Sequence, residues 1–196
     1  NKYAFRATHK YEVAGIGRED ASNLHTDATS GEILNVSAPS DLNDGEYLMF
    51  GHEDGSITDW TPAEAPALFL RIAREWKIDK TGEPGTVTIK FDISSLQTAP
   101  CDKFVLLRDL DGNFTDATIT DLTFLSGTTY QVTGISLSDG EHIAIGVRRP
   151  PDANITPDPA QMCEGGIINL NGNPSGGTGT YVIHAWTGST SQLSAT

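Results

Sequence analysis

Short stretches in which apolar and polar residues alternate recur along the first three quarters of the chain. They predict strands at residues 33–37, 47–51, 68–79, 86–91, 104–108, 118–125, 129–135 and 142–147. Turn-forming pairs such as Asp54-Gly55 and Asp139-Gly140 separate these stretches. Many short strands at regular spacing favour an all-β fold, a β-sandwich of jelly-roll or immunoglobulin-like type.

The stretch 68–79 fits two patterns. As a strand it places Ile72 and Trp76 on one face with Leu70, and as a helix it groups the same two residues with Phe69. The all-β surroundings favour the strand.

Residues 1–11 alternate strictly, which predicts an amphipathic, half-buried strand. Its apolar face carries Tyr3, Phe5 and Ala7. Two interpretations stay open. The segment is the first strand of its own domain, or it joins the sheet of a neighbouring domain or subunit. In the second case these three residues make the contact.

Two glycines two positions apart, Gly15 and Gly17, follow this segment. They allow a bulge or a close approach of the backbone to a neighbour. The adjacent Arg18, Glu19 and Asp20 suggest an ion-pair cluster that holds a loop.

The composition changes near residue 148. Residues 148–160 contain four prolines, which exclude a helix and predict a stiff linker. The preceding residues, 12–147, hold the β-sandwich domain, and residues 161–196 hold a second β-rich module. A stretch this short holds too few strands to bury a hydrophobic core alone. We therefore expect this module to be partial.

The net charge narrows the function. The chain of 196 residues carries a formal charge of −13, which disfavours binding to nucleic acid or to anionic lipid. No run approaches the roughly 18 apolar residues of a membrane span, so we expect no membrane insertion. Residues 1–10 hold three cations and no acid, whereas residues 150–196 hold three acids and no Lys or Arg. The middle of the chain therefore carries most of the acid.

The two cysteines, Cys101 and Cys163, lie in different predicted domains. Their surroundings show no Cys-x-x-Cys or Cys/His spacing typical of zinc. We expect two separate thiols, or a disulfide from Cys163 to a partner outside this chain.

Four motifs occur in order along residues 11–147. They are A-G-I-G-R-E-D at 14–20, R-E-W-K-I at 74–78, G-E-P-G-T-V at 82–87 and L-L-R-D-L-D-G-N-F at 106–114. This part of the chain resembles a domain type of very large surface proteins of Bacteroidota that the type IX system secretes. That family usually has Asp where Glu19 stands. The resemblance implies an extracellular, cell-surface location and no enzymatic activity.

The C-terminal part carries I-T-P at 155–157, Cys163, I-N-L-N-G at 168–172, P-S-G-G-T-G-T-Y at 174–181 and A-W-T-G at 185–188. It is similar to the first half of a bacterial immunoglobulin-like module of the PKD type. Such modules are stacked in adhesins and gliding-motility proteins. The resemblance implies that the chain is a slice of a longer tandem array, or a subunit that a neighbour completes.

One loop has the spacing of a calcium site. Asp109, Asp111, Asn113 and Asp116 offer oxygen ligands around a turn that Gly112 permits. The alternative is an acidic turn in which Asp and Asn cap their own backbone. Ca²⁺ is therefore a candidate cofactor. A second acidic turn, Glu53-Asp54-Gly55 with Asp59, is a weaker candidate.

Catalytic patterns are missing from the sequence, so we expect no enzyme. There is no Gly-x-Ser-x-Gly elbow and no His-Glu-x-x-His motif, and the histidines are scattered at positions 9, 25, 52, 142 and 184. Trp60, in an Asp-Trp-Thr-Pro loop, is the best candidate for stacking on a sugar. Trp76 and Trp186 occupy strand positions typical of a core.

Three functions are compatible with these features. The first is a non-catalytic structural or adhesive module of a large secreted surface protein, with adjacent modules or copies as partners. The second is a filament subunit that assembles head to tail by strand donation. The third is a carbohydrate-binding module of a secreted hydrolase, with surface glycans as ligands.

Overall fold

The computed structural model describes residues 2–99, 102–148, 152–156 and 171–175, and the chain divides into two compact units, residues 1–150 and 151–196. The described residues confirm the all-β prediction, because the regular elements are strands apart from one 3₁₀ turn at Phe114–Asp116. No helix among them is long and apolar enough to cross a membrane.

The first unit is built from short strands. In chain order these are β1 (Tyr11–Asp20), β2 (Asn23–His25), β3 (Asp27–Ser30), β4 (Leu34–Ser37), β5 (Glu46–His52), β6 (Trp60–Thr61), β7 (Leu70–Ile72), β8 (Trp76–Thr81), β9 (Val87–Asp92), β10 (Lys103–Asp109), β11 (Thr118–Asp121), β12 (Thr123–Ser126), β13 (Thr129–Ile135) and β14 (His142–Arg148).

These strands form two antiparallel sheets. One has the order β11-β10-β14-β8-β5-β1-β2, with β7 beside β14 and β6 beside β7, and the other has the order β12-β13-β9-β4-β3. The sheets pack together as a β-sandwich around one core, where Leu48, Ile78 and Ile145 meet Val36 and Ile89. Burying each such side chain contributes about 1.5–3 kcal/mol.

The chain passes from one sheet to the other at both sides of the sandwich. Thr26 separates β2 from β3, and Leu122 separates β11 from β12. Leu122 is buried, and its N–H donates to the carbonyl oxygen of Phe104 at 3.0 Å. These crossings are corners at which a strand changes sheets.

Several predicted strands are confirmed. The stretch 129–135 coincides with β13, and 86–91 agrees with β9, where Val87, Ile89 and Phe91 are buried and alternate with half-buried positions. Trp76 lies in the core as expected, and its indole N–H donates to the hydroxyl of Ser30 at 2.9 Å.

Two predicted strands are interrupted. The stretch 68–79 contains β7 and β8, because residues 73–75 leave the sheet and the N–H of Arg74 donates to the carbonyl oxygen of Ser56. The stretch 118–125 divides at the corner formed by Leu122. Strands β2, β3 and β6 were not predicted.

The predicted N-terminal strand at residues 1–11 is wrong. Among described residues 2–10 there is no strand, because the N–H groups of Thr8 and His9 both donate to the carbonyl oxygen of Phe5 and close a turn. Tyr3 is buried in its own unit, whereas Ala7 is exposed. These residues therefore do not present one strand face to a neighbour. We call residues 2–10 the N-terminal segment.

The loop expected at Arg18, Glu19 and Asp20 is also wrong, because these residues belong to strand β1. Arg18 pairs with Asp44 across 2.6 Å, while Asp20 accepts hydrogen bonds from the N–H groups of Ser22 and Asn23. The close backbone approach predicted from Gly15 is confirmed, since it packs directly against β5.

The second unit is described by a pair of strands. Strand β15 (Asp152–Thr156) pairs antiparallel with β16 (Asn171–Ser175). The predicted linker at 148–160 therefore includes a paired strand. Cys101, Cys163 and Trp186 lie outside the described residues.

Substituting Gly15 by Ala tests the close packing of β1 on β5. A Cβ atom at this position would lie 2.8 Å from the carbonyl oxygen of Leu48, a backbone atom that cannot rotate away. We expect Gly15→Ala to lower the free energy of unfolding by about 1–3 kcal/mol, as overpacking does. Urea denaturation measures the change.

The same substitution in a Met49→Ala background identifies the atom responsible. The Met49 sulfur also lies against residue 15, and truncation removes it while the Leu48 carbonyl stays. If Gly15→Ala still lowers the free energy of unfolding in this background, the Leu48 carbonyl oxygen is responsible. If the loss disappears, this explanation is contradicted.

Candidate functional site

Three side chains from distant parts of the first unit meet at one carboxylate oxygen. Oε1 of Glu75 lies 3.2 Å from Nε2 of His9 and 2.8 Å from Nδ1 of His142. The two imidazole rings contact each other edge to face, with centroids 5.2 Å apart. Both histidines are buried, and the Glu75 side chain is 15% exposed. These three residues are called the His–Glu–His cluster.

Each member is positioned by its local backbone. The turn closed at Phe5 directs His9 towards the sheet, and Glu75 directly precedes β8, where its N–H donates to the Glu53 carboxylate at 3.2 Å. His142 is the first residue of β14 and pairs with Lys77 of β8. The cluster therefore joins the start of the unit to its last strand.

The electrostatics of Glu75 favour its charged form. Burial by itself raises the pKa of this carboxyl, but the hydrogen bonds and charges of His142 and His9 outweigh it and lower the pKa to about 2. A largely buried carboxylate of this kind depends on its hydrogen-bond partners, because a charge withdrawn from water without a partner is costly.

A second cluster lies nearby and uses a residue just after the N-terminal segment. Nε2 of His52 lies 2.7 Å from Oε2 of Glu12, which also receives a hydrogen bond from Arg74 at 3.4 Å. Nδ1 of His52 accepts from the N–H of Asp54 at 3.0 Å. Glu12 has a positive φ of 45°, a conformation that is costly for a non-glycine residue.

Tyr3 adds a third attachment of the N-terminal segment. Its hydroxyl donates to the carbonyl oxygen of Lys77 at 3.2 Å, and the neighbouring N–H of Ala4 donates to the Asp79 carboxylate. Burial and the charge of Asp79 raise the pKa of Tyr3. The segment is thus fixed to β8 along most of its length.

The residues of the predicted calcium loop serve a local structural role. Oδ1 of Asp109 accepts from the N–H groups of Asp111 and Gly112, both at 2.7 Å. Asp111 accepts from the N–H of Asn113, whose own side chain caps the 3₁₀ turn that contains Asp116. This is the self-capping alternative recognised in the sequence. Calcium binding here stays a prediction.

The weaker acidic turn is similarly engaged. The Glu53 carboxylate accepts from the N–H of Gly55 at 3.2 Å, and Asp54 lies 3.6 Å from the guanidinium of Arg74. Asp59 accepts from the hydroxyl of Thr58 at 2.9 Å.

Trp60 is half-buried rather than projecting from a loop. Its indole N–H donates to the carbonyl oxygen of Gln97 at 2.7 Å, and its ring stacks on Phe104 with centroids 6.0 Å apart. Phe124, on the edge strand β12, is 62% exposed. Phe104 therefore occupies one face of the Trp60 ring, and the indole N–H is already used within the unit.

The sequence does not reveal the His–Glu–His cluster. Its histidines are scattered along the sequence, and Glu75 lies 66 and 67 positions from its two partners. The motif R-E-W-K-I at 74–78 contains Glu75, which was the only local signal at this site.

These features define a class of protein: an antiparallel β-sandwich domain whose N-terminal segment is fastened to one sheet by buried histidine–carboxylate contacts. A family model described as "Domain of unknown function (DUF8202)" matches residues 2–141, and the chain therefore belongs to this family. No curated protein and no solved structure matches the chain significantly.

Substituting Glu75 by Gln tests the contribution of its charge. The change keeps the shape of the side chain but weakens both contacts to buried histidines. We expect the free energy of unfolding to fall by about 1.5–3 kcal/mol, the usual contribution of a hydrogen bond to a charged group. Urea denaturation of the full chain measures this.

Glu12→Gln is the matched control. Glu12 also pairs with a buried histidine, but its side chain is 50% exposed and solvent screens its charge. We expect a loss below about 1 kcal/mol for this variant. If both variants lose the same free energy of unfolding, the His–Glu–His cluster does not stabilise the unit more than the exposed pair does.

Proposed function

We propose that this chain is a non-catalytic structural module of a large secreted cell-surface protein. Its first unit spaces and presents the modules that adjoin it outside the cell. The observation that carries the proposal is the joining of the N-terminal segment to the last strand of the same unit by the His–Glu–His cluster.

Attachment of both ends to neighbouring strands suits a module under tension. Tyr3 and His9 hold the N-terminal segment on β8, and His142 begins the last strand, β14, which also pairs with β8. Pulling the ends apart must break buried contacts before the segment can peel away. A chain segment with few such contacts opens first.

Two surface clefts of the first unit have linings without the clustered histidines. One, of about 460 Å³, is lined by residues of β1, β2 and β5 that include Gly15, Gly17 and Tyr47. Another, of about 360 Å³, is lined by residues that include Phe104 and Tyr130. The His–Glu–His cluster contributes no residue to either lining. Its arrangement favours anchoring over contact with a substrate in these clefts.

The other two functions find less support in the described residues. Strand donation at the N-terminus needs a free strand, whereas the N-terminal segment is a turn-containing stretch attached to its own unit. Sugar stacking needs an open aromatic face, whereas Trp60 stacks on Phe104.

Force spectroscopy on the full chain, held by handles at its two ends, tests the proposal. We expect the first unit to unfold in one step that releases on the order of 500 Å, at roughly 3.6 Å per extended residue. Tyr3→Ala should lower the unfolding force or add an early, short step, because it removes the buried anchor. Tyr3→Phe, which removes only the hydroxyl, should have a smaller effect of the same sign.

Phe124→Ala is the control, since it removes an aromatic ring that is exposed and remote from the N-terminal segment in the sequence. It should leave the force unchanged. Separate release of the N-terminal segment at low force in the unaltered chain would contradict the proposal. Hydrolysis of a polysaccharide by the purified chain would also overturn it.

A further inference from the structure

We propose that His9, Glu75 and His142 bind a single transition-metal ion of the Zn²⁺ class, which cross-links the N-terminal segment to β8 and β14. The proposal rests on the geometry of the cluster and not on the mechanical function proposed above. It assigns a structural metal centre to residues that otherwise form a hydrogen-bonded cluster.

The donor set selects the kind of ion. Two imidazole nitrogens and one carboxylate oxygen are ligands that Zn²⁺ and neighbouring transition metals accept. Ca²⁺ and Mg²⁺ prefer sites made of oxygen ligands. The cluster is therefore chemically distinct from the acidic loop at Asp109.

The donor atoms already lie close to a metal-binding arrangement. One ligand atom from each residue falls within 4.8 Å of the other two, and the oxygen–nitrogen separations are 3.2 Å and 2.8 Å. Ligands about 2.0–2.2 Å from a tetrahedral ion lie about 3.3–3.6 Å from one another. Small side-chain rotations therefore suffice to admit an ion.

The space beside two of the donors is kept free of a side chain. Residue 112 is glycine, and a Cβ there would lie 3.1 Å from Nδ1 of His142 and 3.5 Å from Oε1 of Glu75. That position adjoins the space in which an ion bound to both atoms would lie. A water molecule is the usual fourth ligand where a protein supplies three.

A further contact orients one of the proposed ligands. Nδ1 of His9 lies 2.9 Å from the hydroxyl oxygen of Thr8, which can accept a hydrogen bond from an Nδ1–H group. In the metal-free cluster Nε2–H of His9 donates to Glu75. When Nε2 binds an ion, neutral His9 carries its proton on Nδ1 and donates it to Thr8. Outer contacts of this kind fix the tautomer of metal-binding histidines. Metal binding then replaces the two N–H···O hydrogen bonds to Glu75 by two nitrogen–metal bonds. Each neutral imidazole carries its one proton on the other ring nitrogen, Nδ1 of His9 and Nε2 of His142, and any second proton is released to solvent.

The second cluster, formed by Glu12, His52 and Arg74, is not suited to bind a metal ion. There the carboxylate of Glu12 is shared by His52 and Arg74, whose guanidinium lies 3.4 Å from the carboxylate oxygen. A fixed cation at that distance repels a metal ion. Of these two clusters, therefore, only the His–Glu–His cluster is proposed as a metal site.

Calorimetric titration with ZnCl₂ of the full chain, stripped with EDTA beforehand, tests the proposal. We expect one ion per chain and a rise in melting temperature that EDTA reverses. Co²⁺ should give the visible absorption of a four-coordinate site without a thiolate band. The Cys101→Ser, Cys163→Ser double variant should behave identically, which excludes binding by the thiols.

Variants then locate the ion. His142→Gln removes a ligand and should abolish tight binding, while His25→Gln, which alters an exposed histidine, should leave it unchanged. Thr8→Val keeps all three ligands and should weaken binding roughly 10-fold, as loss of an outer contact does.

Gly112→Ala tests the free space without removing a ligand. Because Gly112 has a φ of +89°, the substitution also strains the backbone. Gly45→Ala is the matched control, since Gly45 has a φ of +83° and nothing within 4 Å of its Cβ position. We expect weaker Zn²⁺ binding only in the first variant.

Absence of stoichiometric Zn²⁺ binding would overturn the proposal. Binding that survives His142→Gln, or that Gly112→Ala and Gly45→Ala affect equally, would also overturn it. None of these outcomes bears on the mechanical function, because the hydrogen bonds of the cluster join the two ends without an ion.

Discussion

One largely buried carboxylate, that of Glu75, joins the N-terminal segment to the last strand of the first unit. Glu75 accepts contacts from His9 and His142 on a single oxygen, in a setting where an unpaired charge is very costly. The histidines in turn need an acceptor for their buried nitrogens. Each partner therefore stabilises the others, and the segment is held on the sheet although it contributes no strand to it.

The local patterns that agree with the structure are those that tertiary contacts reinforce. In β9, Val87, Ile89 and Phe91 all face the core, so the period of two in the sequence matches the burial. Trp76 occupies a strand position typical of a core in the sequence, and in the structure it is fully buried. Gly15 indicated a close approach because only glycine leaves room for the facing backbone.

The N-terminal segment shows why alternation alone is not sufficient. Tyr3, Phe5 and Ala7 recur at every second position, yet a turn at Phe5 and the anchor at Tyr3 determine their conformation. The turn is closed locally by Thr8 and His9, whereas the anchor depends on Lys77, 74 positions along the chain. The His–Glu–His cluster was out of reach for the same reason, since its members become neighbours only when β8 and β14 pair.

Native-state hydrogen exchange of the N-terminal segment tests this account most directly. The N–H groups of Ala4 and His9 donate to Asp79 and to Phe5. The account predicts that in the unaltered chain they exchange slowly, near the rate of the core strands β5 and β9. In Glu75→Gln they should exchange much faster while those strands keep their protection. Rapid exchange of Ala4 and His9 in the unaltered chain would contradict the account.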